Sequence, residues 1–136
     1  MIIKFLIGRV CMEQKIVVSG VLLRDGQALV VRRSMDEKFL PGYFELPGGK
    51  VDFGEDVFVA LSREFEEEVG FGVEVGEFIR TFSYVTGTRH TVELVFYVHG
   101  EGDVTLSNAH SEYAWVSSLD VEVSDEVLAT LKKVFE

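Results

Sequence analysis

The sequence predicts an α+β domain, a mixed β-sheet carrying helices on its faces, from three observations. Two runs rich in β-branched residues, 15–23 and 28–32, flank an Asp25-Gly26 pair that reads as a hairpin turn. A helix-length amphipathic segment lies between Gly49 and Gly70. After it come two strand-like runs, 72–84 and 91–99, a short strand over 110–116 and a closing helix over 125–134.

The chain has 136 residues, which fits one domain over 1–136 with a substantial core. It is 47% hydrophobic and 26% charged, with two prolines, no repeat and no low-complexity tract. The 23 acids against 13 bases give a net charge of −10. That balance opposes nonspecific binding to duplex DNA or to anionic membranes, which needs basic surface. It leaves nucleotides open, because a metal can bring the positive charge. A single cysteine, Cys11, excludes an internal disulfide, is expected in the core, and suits a reducing cytoplasm.

Taken in order, residues 1–10 are apolar but broken by Lys4, Gly8 and Arg9. The run is too short to span a bilayer, and no small-residue cleavage site follows it. Residues 1–14 are therefore expected as an edge strand or a loose arm, with Met1 or Met12 as the natural start. Ile16, Val17, Val18 and Val21 mark a central strand, and 28–32 returns antiparallel to it. Arg32 and Arg33 then precede a loop over 34–43; each is either surface charge or a phosphate contact. Pro47, Gly48 and Gly49 form a turn whose glycines leave backbone carbonyls unshielded, and Lys50 beyond it is either solvated or a phosphate contact.

Placed on a helix at about 100° per residue from Leu61, Val57, Phe58, Phe65 and Val69 fall between roughly −40° and +80°, a core-facing stripe. Glu68 falls near −20°, inside that stripe, Glu64 near −60° and Glu67 near −120° on its edge, and Glu66 near 140° toward solvent. Three carboxylates within one turn repel one another, and one of them points at the core. Either protonation or a hard divalent cation such as Mg²⁺ or Mn²⁺ relieves that arrangement. Arg63 stands four residues before Glu67 and is placed to orient a carboxylate.

In the later strands, Val92, Leu94, Phe96 and Val98 alternate with Glu93, Val95 and Tyr97, as expected with one face better buried. A loop is expected over 86–90, with His90 and His99 as ordinary polar residues at strand ends. Trp115 is expected in the core. Ser124 reads as the cap of the last helix, with Asp125 and Glu126 in its first turn and Val127, Leu128, Leu131 and Val134 on its inner face.

The stretch 49–71 resembles the Nudix box, Gly-x5-Glu-x7-Arg-Glu-U-x-Glu-Glu-x-Gly-U with U bulky and apolar. Gly49, Glu55, Arg63, Glu64, Glu67, Glu68 and Gly70 fill every fixed position, while Phe65 and Phe71 stand where aliphatic residues are commoner. The resemblance covers roughly 15–135 and implies an α/β/α sandwich with the box as loop–helix–loop. It implies a divalent-metal hydrolase of nucleoside diphosphates linked to a further group, in a family that is often dimeric, so a homodimer is expected. It implies Glu67, Glu68 and the Gly48 carbonyl as metal ligands, Glu64 as a further ligand or general base, and Glu55 and Arg63 as orienting residues. Glu112, shortly before Trp115, matches a looser family pattern for a further metal ligand. Arg32, Arg33 and Lys50 are the candidate substrate contacts. The family's downstream proline of ADP-ribose enzymes is absent after Pro47, and Tyr84 lies too close to the box to mark a dinucleoside-polyphosphate enzyme. The nucleoside-triphosphate group remains, with those two classes, a nucleotide-sensing module without turnover, and a purely structural domain as alternatives.

Overall fold

A computed structural model describes residues 2–7 and 10–136. Ten elements follow one another: β1 (Ile2–Ile7), β2 (Val10–Arg24), β3 (Gln27–Arg33), β4 (Phe44–Glu45), β5 (Gly48–Lys50), α1 (Val57–Val69), β6 (Glu74–Thr86), β7 (Arg89–His99), β8 (His110–Val116) and α2 (Asp125–Phe135). The hairpin forms where Asp25-Gly26 lies, with φ of 53° and 78°, so that Leu23 pairs with Ala28. The sheet runs β4-β3-β2-β7-β6, with β1 and β5 also pairing β2 and β8 pairing β3. β2 and β7 are parallel, from Glu13 opposite Arg89 to Leu22 opposite Val98, and the other named strand pairs are antiparallel. The sheet is mixed, as expected.

Alternation along β2 and β7 sends side chains into two cores. Val18, Leu22, Phe96 and Val98 meet Ala60, Leu61, Phe65 and Val69 of α1 on one face. Val21, Ala28, Val30, Ile79 and Val95 meet Val127 and Leu131 of α2 on the other. The result is the α/β/α sandwich. The helix ends are closed locally: Asp56 accepts from the backbone N–H of Phe58 and Val59, and Gly70 ends α1 at φ 90°. Ser124 caps α2 as expected, accepting from Val127 N–H.

Several expectations shift. β7 was expected to have one face better buried, and both of its faces supply buried residues, Phe96 and Val98 toward α1 and Val95 toward α2. The loop over 86–90 shrinks to a tight turn at Gly87, with His90 inside β7 and its Nδ1 2.9 Å from Gln14 Nε2. Phe58 is 52% exposed and reaches only the edge of the core, edge-on to Phe96. Cys11 is exposed, not buried, because it lies on the part of β2 that extends beyond the sandwich to pair with β1. Trp115 is partly buried against the α1-side core, with the Arg24 guanidinium 4.9 Å above its ring. Among the described residues no helix is long and apolar enough to cross a membrane.

Candidate active site

Arg63 organises the helix carboxylates. Its Nε and one terminal nitrogen donate to both oxygens of Glu55 at 2.8 and 2.9 Å. The other terminal nitrogen donates to Glu64 at 3.0 Å and to both oxygens of Glu67 at 3.2 Å. A further bond reaches the Lys50 carbonyl, tying the helix to the glycine turn. The spacing explains this fan: Glu67 is one turn on, Glu64 is adjacent, and the 51–56 loop folds back so that Glu55 meets the fork end-on. The Arg63 hydrogen bonds, with the Asp52 N–H, hold the Glu55 carboxyl down at about 2. The same contacts push Arg63 further up.

Glu64 and Glu68 differ from Glu55 in their partners: Arg63 forks onto both oxygens of Glu55 but reaches one oxygen of Glu64, and Glu68 takes a backbone N–H instead. Burial raises the Glu64 carboxyl despite Arg63, and it raises Glu68 to about 7. Glu68 accepts the Gly48 N–H at 3.1 Å and faces His110, with Glu64 and Glu45 adding negative charge. The glycine turn is fitted to this: a Cβ on Gly49 would lie 2.4 Å from the Glu64 carboxyl carbon, and one on Gly48 2.1 Å from the Val18 carbonyl oxygen. Behind α1, the carbonyls of Glu68 and Val69 accept from Ser107 and Thr105 N–H, which satisfies the helix end.

The structure brings Gly48, Lys50, Glu55, Arg63, Glu64, Glu67 and Glu68 together. Glu112 is half exposed and bonded to Arg32. Arg32 also donates to the Gly42 carbonyl, and Arg33 holds the Phe39 carbonyl, Glu37 and both oxygens of Glu45. Both arginines thus fasten the 34–43 loop. Among the described residues, no three His, Cys, Asp or Glu side chains converge closely enough to enclose a metal by themselves. The donor set is nonetheless all oxygen, and Glu68 is a buried carboxyl with no guanidinium partner among the described residues. That suits a hard cation such as Mg²⁺, which takes few protein ligands and completes its shell with waters and phosphates.

From the glycine turn a cavity of about 1060 Å³ runs across the α2-side face of the sheet. Gly48, Gly49, Lys50 and Glu68 line one end, and Ser19, Tyr84, Thr91 and Glu93 form its floor. Arg80, bonded to the Glu126 carbonyl and carboxylate and to Thr130, anchors α2 over the far side. His110 lies beside Glu45 at 3.3 Å, with its Nδ1 buried and without a partner among the described residues. Burial opposes charge on His110, but the Glu45 bond and the charge of Glu68 outweigh it and raise its pKa. Sequence reasoning passed over Lys15, Ser19, Glu45, Glu93 and His110. For Glu93 a signal existed: it is the one carboxylate in the apolar run Val92-Glu93-Leu94-Val95-Phe96.

Comparison with known proteins agrees with this geometry. The family model of the NUDIX domain matches residues 14–136. A nucleoside triphosphatase NudI of Escherichia coli O81 (strain ED1a) is 30% identical over 133 residues, covering 89% of this chain and 94% of that protein. The Shigella flexneri serotype 5b NudI is 29% identical with the same coverage. Among solved structures, the MutT protein from Methanosarcina mazei Go1 superposes with a TM-score of 0.79 at 26% identity, covering 89% of this chain and 92% of that one. The Escherichia coli ORF135 protein gives 0.74 at 26% identity, covering 90% and 89%. The family match over most of the chain, the shared sandwich fold and the box carboxylates met around Arg63 and the glycine turn agree: the chain belongs to the Nudix family as a MutT-like hydrolase.

Proposed function

We propose that this enzyme hydrolyses nucleoside triphosphates to the monophosphate and pyrophosphate, using Mg²⁺, with Mn²⁺ as a substitute. The observation that carries the reading is continuity: Glu68, one turn beyond Glu64 on α1, and the glycine turn it bonds line one end of a cavity large enough for a nucleoside. The relatives named as nucleoside triphosphatases support the same substrate class.

In this reading Glu67, Glu68 and the Gly48 carbonyl hold the cation. Bound there, it neutralises phosphate charge and acidifies a water. Glu64 takes the proton of the attacking water: Arg63 fixes one of its oxygens, and burial lifts its pKa above the ordinary carboxylate value. The water oxygen forms a bond to phosphorus as a bridging P–O bond breaks, and the pyrophosphate leaves. Glu55 keeps Arg63 in place, and Arg63 keeps Glu64 and Glu67 from turning away. Lys50 and Arg33, which line the cavity, and Arg32, tied to the Gly42 carbonyl of the neighbouring loop, are the cationic contacts for the phosphate chain. Glu112 acts on this site through Arg32. The net charge of −10 favours a small nucleotide over duplex nucleic acid or a membrane as partner, and a cytoplasmic setting completes the reading.

The test is a product assay with Mg²⁺ on normal and oxidised nucleoside triphosphates, ADP-ribose and a dinucleoside polyphosphate. Monophosphate plus pyrophosphate from a triphosphate is the expected result. Cleavage of ADP-ribose alone overturns the substrate class. Silence across the panel, with Glu67→Gln equally silent, moves the protein to a nucleotide-sensing role.

A further inference from the structure

We propose that Glu93 selects the base of the substrate, and that it favours heterocycles presenting a ring N–H beside an exocyclic amine, as guanine and 8-oxidised guanine do. The inference rests on the triphosphate reading above and deepens it.

Glu93 occupies the middle of β7, in a strand whose neighbours Leu94, Val95, Phe96 and Val98 all belong to the cores. A carboxylate there is withdrawn from water and contributes nothing to packing that an aliphatic side chain would not do better. Among the described residues its carboxyl has one hydrogen-bond partner, Ser19 Oγ, at 3.3 Å. An ionised carboxylate has about four acceptor sites, so most of its capacity is turned to the cavity. Lys15 faces it with positive charge, and Glu45 and Glu126 face it with negative charge. Burial and the two acids raise it to about 7, so an incoming pair of N–H donors meets a group that gains from being held ionised.

The position fits a base whose phosphates reach the Arg63 carboxylates. Val17 is opposite Lys50 on one side and Glu93 on the other, so Glu93 stands two strand spacings, about 10 Å, from Lys50 at the end of the glycine turn. A nucleoside with its first phosphates spans that gap. Aromatic faces flank the floor: the Phe39 and Tyr84 rings lie 13° from parallel with centroids 6.4 Å apart, and Phe82 and Tyr84 lie at 20° and 6.2 Å. Planar heterocycles stack on such surfaces. Because Ser19 donates its hydroxyl hydrogen to Glu93, the pair offers acceptors to the cavity. Cytosine and adenine, with a ring acceptor beside the amine, and uracil, with carbonyls on both sides of its N–H, place a lone pair against that carboxylate. Guanine places two donors there.

The experiment compares kcat and KM for GTP, 8-oxo-GTP, ITP, CTP and UTP in the wild type and in Glu93→Gln. Calorimetric binding of GMP and IMP in EDTA, and a melting curve of the variant, accompany it. ITP keeps the ring N–H and lacks the amine. The wild type is expected to favour GTP over ITP by about tenfold or more, the value of one charge-assisted hydrogen bond. Glu93→Gln, folded by its melting curve, is expected to erase that ratio and to shift preference toward CTP, whose acceptor–donor edge matches an amide. The change is expected in KM more than in kcat. 8-oxo-GTP is expected to follow GTP in its response to the variant, since oxidation at C8 leaves this edge intact. A wild type indifferent to the amine, or a variant that changes every substrate equally, overturns the proposal. If the wild type hydrolyses no triphosphate yet binds GMP above IMP only when Glu93 is present, the triphosphate reading fails and the Glu93 inference stands.

Discussion

The carboxylates of α1 and its preceding loop and the carboxylate on the cavity floor sit under opposite electrostatic regimes. At the catalytic end, Arg63 touches Glu55, Glu64 and Glu67, so charge is matched by charge within hydrogen-bond distance. At the far end, Glu93 has a hydroxyl and faces two other acids. Glu68 sits between the regimes, beside the first group but, among the described residues, bonded to a backbone N–H and facing His110. The comparison teaches that carboxylate count alone says little. The partner decides whether a group stays ionised, waits for a cation, or waits for a ligand's N–H donors.

The largest effect expected is on catalysis at the first end. Glu67→Gln and Glu68→Gln each remove a proposed metal ligand and are expected to lower kcat by roughly 10²–10⁴-fold, measured by pyrophosphate release. The same variants are expected to abolish a Mg²⁺-dependent rise in melting temperature that the wild type shows by mass action. A shift that persists unchanged in Glu67→Gln removes that residue from the metal site.

Breaking the charge matching itself comes next. Arg63→Ala leaves Glu55, Glu64 and Glu67 without their shared partner and is expected to lower activity by roughly 10–100-fold, as loss of an orienting residue does. Arg63→Lys is expected to recover little, because an ammonium cannot fork onto Glu55 while reaching Glu64 and Glu67. Full recovery by lysine means that Arg63 acts only as a charge.

The pH dependence of stability in EDTA separates the two regimes by sign. Glu55 is lowered from 4.5 to about 2, so its contribution is present above 4.5 and is lost as pH falls toward 2. Glu68 and Glu93 are raised from 4.5 to about 7, so the native state is favoured below 4.5 and loses that advantage as pH rises through 7. The loss is at most about 3 kcal/mol for each group. Melting temperature is therefore expected to decline between 4.5 and 7, less steeply in Glu93→Gln and less steeply with Mg²⁺. A profile identical in wild type and Glu93→Gln removes Glu93 from this account.

The smallest effect serves as a control. Asp56→Ala removes the α1 cap and is expected to cost about 1 kcal/mol, read by denaturant midpoint, with base preference unchanged. A changed preference means that the helix start, not Glu93, shapes the cavity.

The sequence alone determined the catalytic end. Gly49, Glu55, Arg63, Glu64, Glu67, Glu68 and Gly70 lie within one loop and one helix, where helical periodicity and local capping fix who meets whom. It also determined the hairpin at Asp25-Gly26, the Ser124 cap and the mixed sheet, for the same local reasons. Tertiary structure decided what depends on neighbours far along the chain. Cys11 and Phe58 read as core because both are apolar, yet nothing packs over them fully. Glu93 read as the polar half of an alternation, and it became a cavity floor because α2 covers that face while Ser19, 74 residues away, comes to lie beside it. Arg32 and Glu112, 80 residues apart, are joined because β3 and β8 pair. Periodicity reports which face a side chain takes, but only the packed fold sets what stands opposite that face, and it is the opposing group that fixes charge, access and chemistry.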